Sequence, residues 1–143
     1  MKKLILFLVL LNLTNEHLLP QTTYKVGDSQ PYLSVGAVPW ESLVAGDSVK
    51  IYWRNIPYKE KFVINCVGQH DKWITITGIP NALGELPIID GMDATTRSEL
   101  NFWGEERGVI KIGGSNIPAD GLPAYIRLEN LEIKNGRSAY SFT

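Results

Sequence analysis

Two aspartates three residues apart, in Asp90-Gly-Met-Asp93, are the nearest thing in this sequence to a cation site. Carboxylates flanking a turn glycine can share a hard metal ion. Calcium takes six to eight oxygens, however, so this pair supplies only part of a shell. A turn in which Asp90 accepts hydrogen bonds from nearby backbone amides uses the same residues at the same spacing. Glu105-Glu-Arg107 stands in the longest polar stretch and reads as a solvated corner. Lys111, Arg127, Glu129, Glu132 and Lys134 alternate with apolar residues, which turns their charges outward. There they can form ladders between strands, each contributing roughly a few tenths of a kcal/mol. No one of them stands apart as a general base.

Other reactive groups are few. His70 lies in the turn Gly68-Gln-His-Asp71, and His17 in the N-terminal leader. The single cysteine, Cys66, cannot close an intrachain disulfide. It shares a face with Phe62 and Ile64 and reads as a small buried apolar residue, with no cation near it to favour a thiolate. Serine or cysteine triads, phosphate-binding glycine loops and zinc spacings are absent from the sequence. The aromatics offer more. Trp53, Trp73 and Tyr52 stand on or beside the strands. An outward indole can stack on the flat apolar face of a sugar ring, or it can pack beneath a long loop. Trp53 and Trp73 are therefore the candidate substrate contacts.

The elements that position these groups are short strands. Period-two alternation marks 48–53 with Val49 and Ile51 inward, 60–66, and 72–77 with Ile74 and Ile76 inward. It also marks 87–90, 108–112 with Ile110 and Ile112 together, and the joined pair Tyr125–Glu129 and Leu131–Lys134. Asn130 joins that pair, and asparagine tolerates the left-handed backbone region. A strand, a sharp bend and a second strand suit a chain that winds round a coil. Pro39 and Gly46 bracket a short helix over 40–45 that would cover the first coil with Val38, Leu43 and Val44. The fold these features suggest is all-β: a right-handed single-stranded parallel β-helix of about four coils with a short N-terminal capping helix. A β-sandwich is the alternative that strands and turns leave open.

Composition sets the class and the address. Of 143 residues, 44% are hydrophobic and 20% charged, as in an ordinary globular domain. The formal charge of −1, without a run of like charges, argues against a nucleic-acid partner. Lys2 and Lys3 precede the apolar stretch Leu4–Leu11, the layout of an export signal too short to span a bilayer. The expected organisation is a signal peptide over 1–20, a lead-in segment with the capping helix over 21–46, and coils over 47–143. Cleavage leaves 12 basic and 14 acidic residues, removing Lys2, Lys3 and Glu16, and a secreted, periplasmic or cell-surface protein with no membrane contact.

Four motifs carry a resemblance. They are Val38-Pro-Trp-Glu-Ser-Leu43 followed by Ala45-Gly-Asp-Ser-Val49, Ile56-Pro-Tyr-Lys-Glu-Lys-Phe-Val-Ile64, Glu85-Leu-Pro-Ile-Ile-Asp-Gly91 and Tyr125-Ile-Arg-Leu-Glu-Asn-Leu-Glu-Ile133. Together, over about 24–136, they resemble the N-terminal coils of exported parallel β-helix proteins of the pectate-lyase-like, polysaccharide-degrading kind. The resemblance implies an enzyme acting on an acidic polysaccharide, with Ca²⁺ neutralising a uronate carboxylate while a Lys or Arg removes the neighbouring proton. Such proteins are longer, so the sequence reads as an N-terminal portion with its catalytic coils elsewhere. Asp90 and Asp93 are then the candidate metal ligands. The alternatives are a non-catalytic glycan-binding or adhesin-type protein, and a short stack that self-associates end to end through an uncapped last coil.

Overall fold

A computed structural model describes residues 20–100, 108–113 and 122–136 of the chain. All of the expected export signal over 1–20 except Pro20, together with His17, Glu105-Glu-Arg107 and residues 137–143, lies outside them. Among the described residues nine strands are defined, β1 (Thr23–Val26), β2 (Ser48–Tyr52), β3 (Glu60–Ile64), β4 (Ile74–Ile79), β5 (Ile88–Asp90), β6 (Thr95–Thr96), β7 (Ile110–Ile112), β8 (Ile126–Glu129) and β9 (Glu132–Lys134). They form three sheets, with orders β1-β2-β4-β8, β6-β3-β7 and β5-β9. Every pairing between named strands is parallel. The register sets Val49 beside Ile76 and Ile76 beside Leu128, so the alternating apolar residues of successive strands line one inner face.

This architecture corrects the expected fold. The described residues form several small parallel sheets, of four, three and two strands. They do not show a single-stranded right-handed β-helix of about four coils. Period-two alternation reports which side of a strand is buried, but it says nothing about how many strands a sheet collects. The three-stranded sheet illustrates the difference. Glu60 and Lys61 pair with the two-residue β6, whereas Phe62 to Ile64 pair with β7.

The capping helix is corrected as well. A single 3₁₀ turn, Trp40–Ser42, stands where the short helix over 40–45 was expected, and another, Val35–Ala37, precedes it. Leu43 is already extended, with φ −64° and ψ 138°. Tertiary packing explains the short turn. The Trp40 indole stacks on Phe62 with ring centroids 4.1 Å apart and donates its N–H to the Val35 carbonyl at 2.9 Å. Anchoring Trp40 by face and edge holds the backbone where one turn fits and a longer helix does not. Val38 and Leu43 are buried, so the segment still covers the end of the core.

The core runs through Val26, Val49, Ile51, Tyr58, Phe62, Ile64, Ile74, Ile76 and Ile89, all with no exposed surface. Each such aliphatic side chain contributes roughly 1.5–3 kcal/mol through burial. Two polar residues tie the corners. Asp47, 1% exposed, accepts hydrogen bonds from the backbone N–H groups of Thr22 (2.8 Å) and Val44 (3.0 Å). Arg54 donates to the carbonyls of Leu33, Ile56 and Pro57 while its guanidinium lies 3.8 Å over the Tyr58 ring. Burial pushes the Tyr58 hydroxyl up to about 12, and that hydroxyl donates to the Tyr52 carbonyl at 2.6 Å. Burial fades toward β7, β8 and β9: Ile126 and Leu128 are half-buried, and Ile112 and Ile133 are about half exposed.

Candidate functional site

Trp73 is placed by a tight turn. Gln69 and Lys72 exchange backbone hydrogen bonds, both 3.0 Å, which leaves His70 and Asp71 at the tip. The chain then enters β4, and the Ile74 N–H donates to the Tyr125 carbonyl at 3.0 Å. Tyr125 has φ 53°, the left-handed region, immediately before β8. The register Ile74 beside Ile126 sets Trp73 beside Tyr125 on the outer face, one residue before the strands begin.

The resulting cluster is exposed and braced. Trp73 and Tyr125 are 42% and 41% exposed, and their rings meet edge to face at 5.8 Å. The indole N–H of Trp73 donates to the His70 carbonyl at 2.9 Å, which fixes the ring's orientation. The Arg127 guanidinium lies over the same indole, 5.4 Å from its centroid. His70 approaches Tyr125 edge-on at 6.3 Å and contacts the Asp71 carboxylate through Nδ1 at 2.7 Å. An indole that is 42% exposed, keeps its N–H occupied and carries a cation over its ring is suited to contact a sugar ring and attract an acidic substituent.

Trp53 does not join this cluster. It follows β2, is half-buried, and its backbone N–H donates to the Ile79 carbonyl at 2.8 Å. The β2–β4 register aligns Trp53 with Pro80 and Trp73 with Gly46. Seven residue steps along the strands therefore separate them, about 23 Å at the usual rise per residue. The two tryptophans are not one subsite.

Asp90 and Asp93 play different parts. Asp90 Oδ1 accepts the backbone N–H of Met92 at 2.9 Å and the Asn135 side-chain amide at 2.7 Å. Those bonds, the one from Asn135 first, hold its carboxyl below the usual carboxylate range. Asp93 sits exposed at φ 55° in the turn that follows. Asp93, but not Asp90, lines a shallow recess of about 260 Å³ together with Gly91, Met92, Asn135 and Gly136. Among the described residues no three His, Cys, Asp or Glu side chains gather as a metal-binding group. The geometry is that of a turn tied by a carboxylate. Burial pushes the Cys66 thiol up, away from the thiolate.

Reading the sequence alone found Trp73 but missed Tyr125 as its neighbour and left Arg127 as one outward charge among several. Both lie more than fifty positions away, and only the β4–β8 register brings them together. No protein-family model matches the chain, and searches of curated proteins and of solved structures return no match either.

Proposed function

We propose that the Trp73 face binds carbohydrate, and that the chain is part of an exported protein acting on an acidic polysaccharide. The observation that carries this reading is the Trp73 indole, exposed, locked by its bond to the His70 carbonyl and overlaid by Arg127. Stacking supplies affinity for the sugar ring, and the guanidinium supplies a preference for a carboxylated one. β-Elimination, the reaction the resemblance implies, would draw its base and its Ca²⁺ ligands from outside the described residues.

Calorimetric titration with oligomers of a uronic acid tests the reading. Trp73→Ala is expected to weaken binding by about tenfold or more, the loss typical of a buried aromatic contact. Trp53→Ala should leave the affinity unchanged. Equal affinity of the wild type and Trp73→Ala would overturn the assignment.

A further inference from the structure

The outer face of the four-stranded sheet carries a second feature, on strands that do not touch the Trp73 cluster. Parallel register places Lys25 of β1 directly beside Lys50 of β2, and Lys50 beside Thr77 of β4. Neighbouring strands run about 4.8 Å apart, so the two ammonium-bearing stems rise side by side. Val26, Val49 and Ile51 fill the inner face of the same strands, which fixes both lysines outward. Like charges directly opposite one another on a sheet are unfavourable. Among the described residues no carboxylate forms an ion pair with either lysine. The acidic residue of the same row, Glu129 of β8, is two strands from Lys50 and beside Thr77.

Arg127 extends this charge toward the aromatic cluster. It lies one row closer to Trp73, beside Thr75, on the same outer face. Cations thus stand at both ends of one sheet face, with Thr75 and Thr77 between them. A compact anion would satisfy one end only. An extended chain bearing a carboxylate on each unit can reach both, while its hydroxyls meet Thr75 and Thr77.

We propose that Lys25 and Lys50 form a carboxylate-binding subsite for an acidic glycan lying across this face, continuous with the stacking position at Trp73. The inference rests on the carbohydrate reading above and adds the polymer's charge and its path. Lysine suits this place, because a flexible stem can follow carboxylates whose positions shift along a polymer. Glu129 repels the same polymer and directs its carboxylates to the β1–β2 side.

The test compares the wild type, Lys25→Gln/Lys50→Gln and Trp73→Ala against three probes: a uronic-acid hexamer, a neutral hexose hexamer and an oligoglutamate of equal charge. The double variant is expected to bind the uronate hexamer about tenfold more weakly at low salt, with a shallower salt dependence and unchanged binding of the neutral hexamer. Lys50→Arg should retain most of the affinity. An unfolding midpoint matching the wild type secures the comparison. Wild-type affinity in the double variant, with loss in Trp73→Ala, overturns the lysine subsite and leaves the stacking site standing. Absence of uronate binding by the wild type overturns both. Equal binding of the oligoglutamate overturns the glycan as occupant.

Discussion

Among the described glycines, Gly78 meets the closest backbone approach. A Cβ at this position would lie 1.7 Å from the Asn130 carbonyl oxygen. That contact is with backbone and cannot be relieved by a rotamer change. Gly78→Ala is expected to lower the unfolding free energy by roughly 3 kcal/mol or more, measured from the urea midpoint. The partner in this contact, Asn130, holds φ 56° where the chain passes from β8 to β9 and from one sheet to another. Asn130→Gly should be tolerated, because glycine adopts this conformation freely. Asn130→Val should cost about 1–2 kcal/mol for the crowding a β-branched side chain meets there. Equal midpoints for the two variants would show that the bend does not constrain the side chain.

At the scale of elements, an ion pair fastens the segment after β6 to the 3₁₀ turns. Both terminal nitrogens of Arg97 donate to the Glu41 carboxylate, and one also donates to the Val38 carbonyl at 3.1 Å. Burial, the largest single influence, pushes the Glu41 carboxyl up, but the Arg97 hydrogen bonds, a backbone hydrogen bond and the Arg97 charge together outweigh it and the net shift is downward from 4.5. A depressed carboxyl stabilises the folded state above its unfolded value and loses that contribution as pH falls through the folded one. The stability difference between wild type and Glu41→Gln should therefore be constant above about pH 4.5 and shrink below it. Denaturant titrations at pH 7, 4.5 and 3 measure this. A difference that does not change with pH would remove the pair from the ledger of acid sensitivity. Asp90 shifts in the same direction from 3.8, so it adds acid sensitivity that Glu41→Gln retains.

For the whole molecule, stability is graded across the sheets. β2 and β4 have neighbours on both sides and alternate fully buried with half-buried residues. β8 and β9 end their sheets, and β9 has no buried residue. Amide exchange should accordingly be slowest in β2 and β4 and faster by orders of magnitude in β8 and β9. Uniform protection would contradict this gradient. Pairings join residues 25 to 52 positions apart, as in Thr23 with Ser48 and Ile74 with Ile126. Contacts this distant in sequence place folding in the millisecond-to-second range, because each pairing must close a long loop first.

Alternation alone located the cores of β2 and β4, but not of β3, where Phe62, Val63 and Ile64 are buried in succession. Val49, Ile51, Ile74 and Ile76 are buried where alternation placed them, and the bend at Asn130 follows from that residue's backbone tolerance. Local signals failed where the element was short or packing intervened. β1 reads as polar because Thr23 and Lys25 face outward, and the helix signalled by Pro39 and Gly46 gave way to the anchoring of Trp40. Sheet membership and the candidate site belong to the tertiary structure. Trp73 is visible in the sequence as an outward aromatic, but Tyr125, Arg127 and the Lys25–Lys50 ladder become neighbours only through register. Period-two patterning assigns each residue to a face, whereas hydrogen bonding between distant strands decides which residues share it.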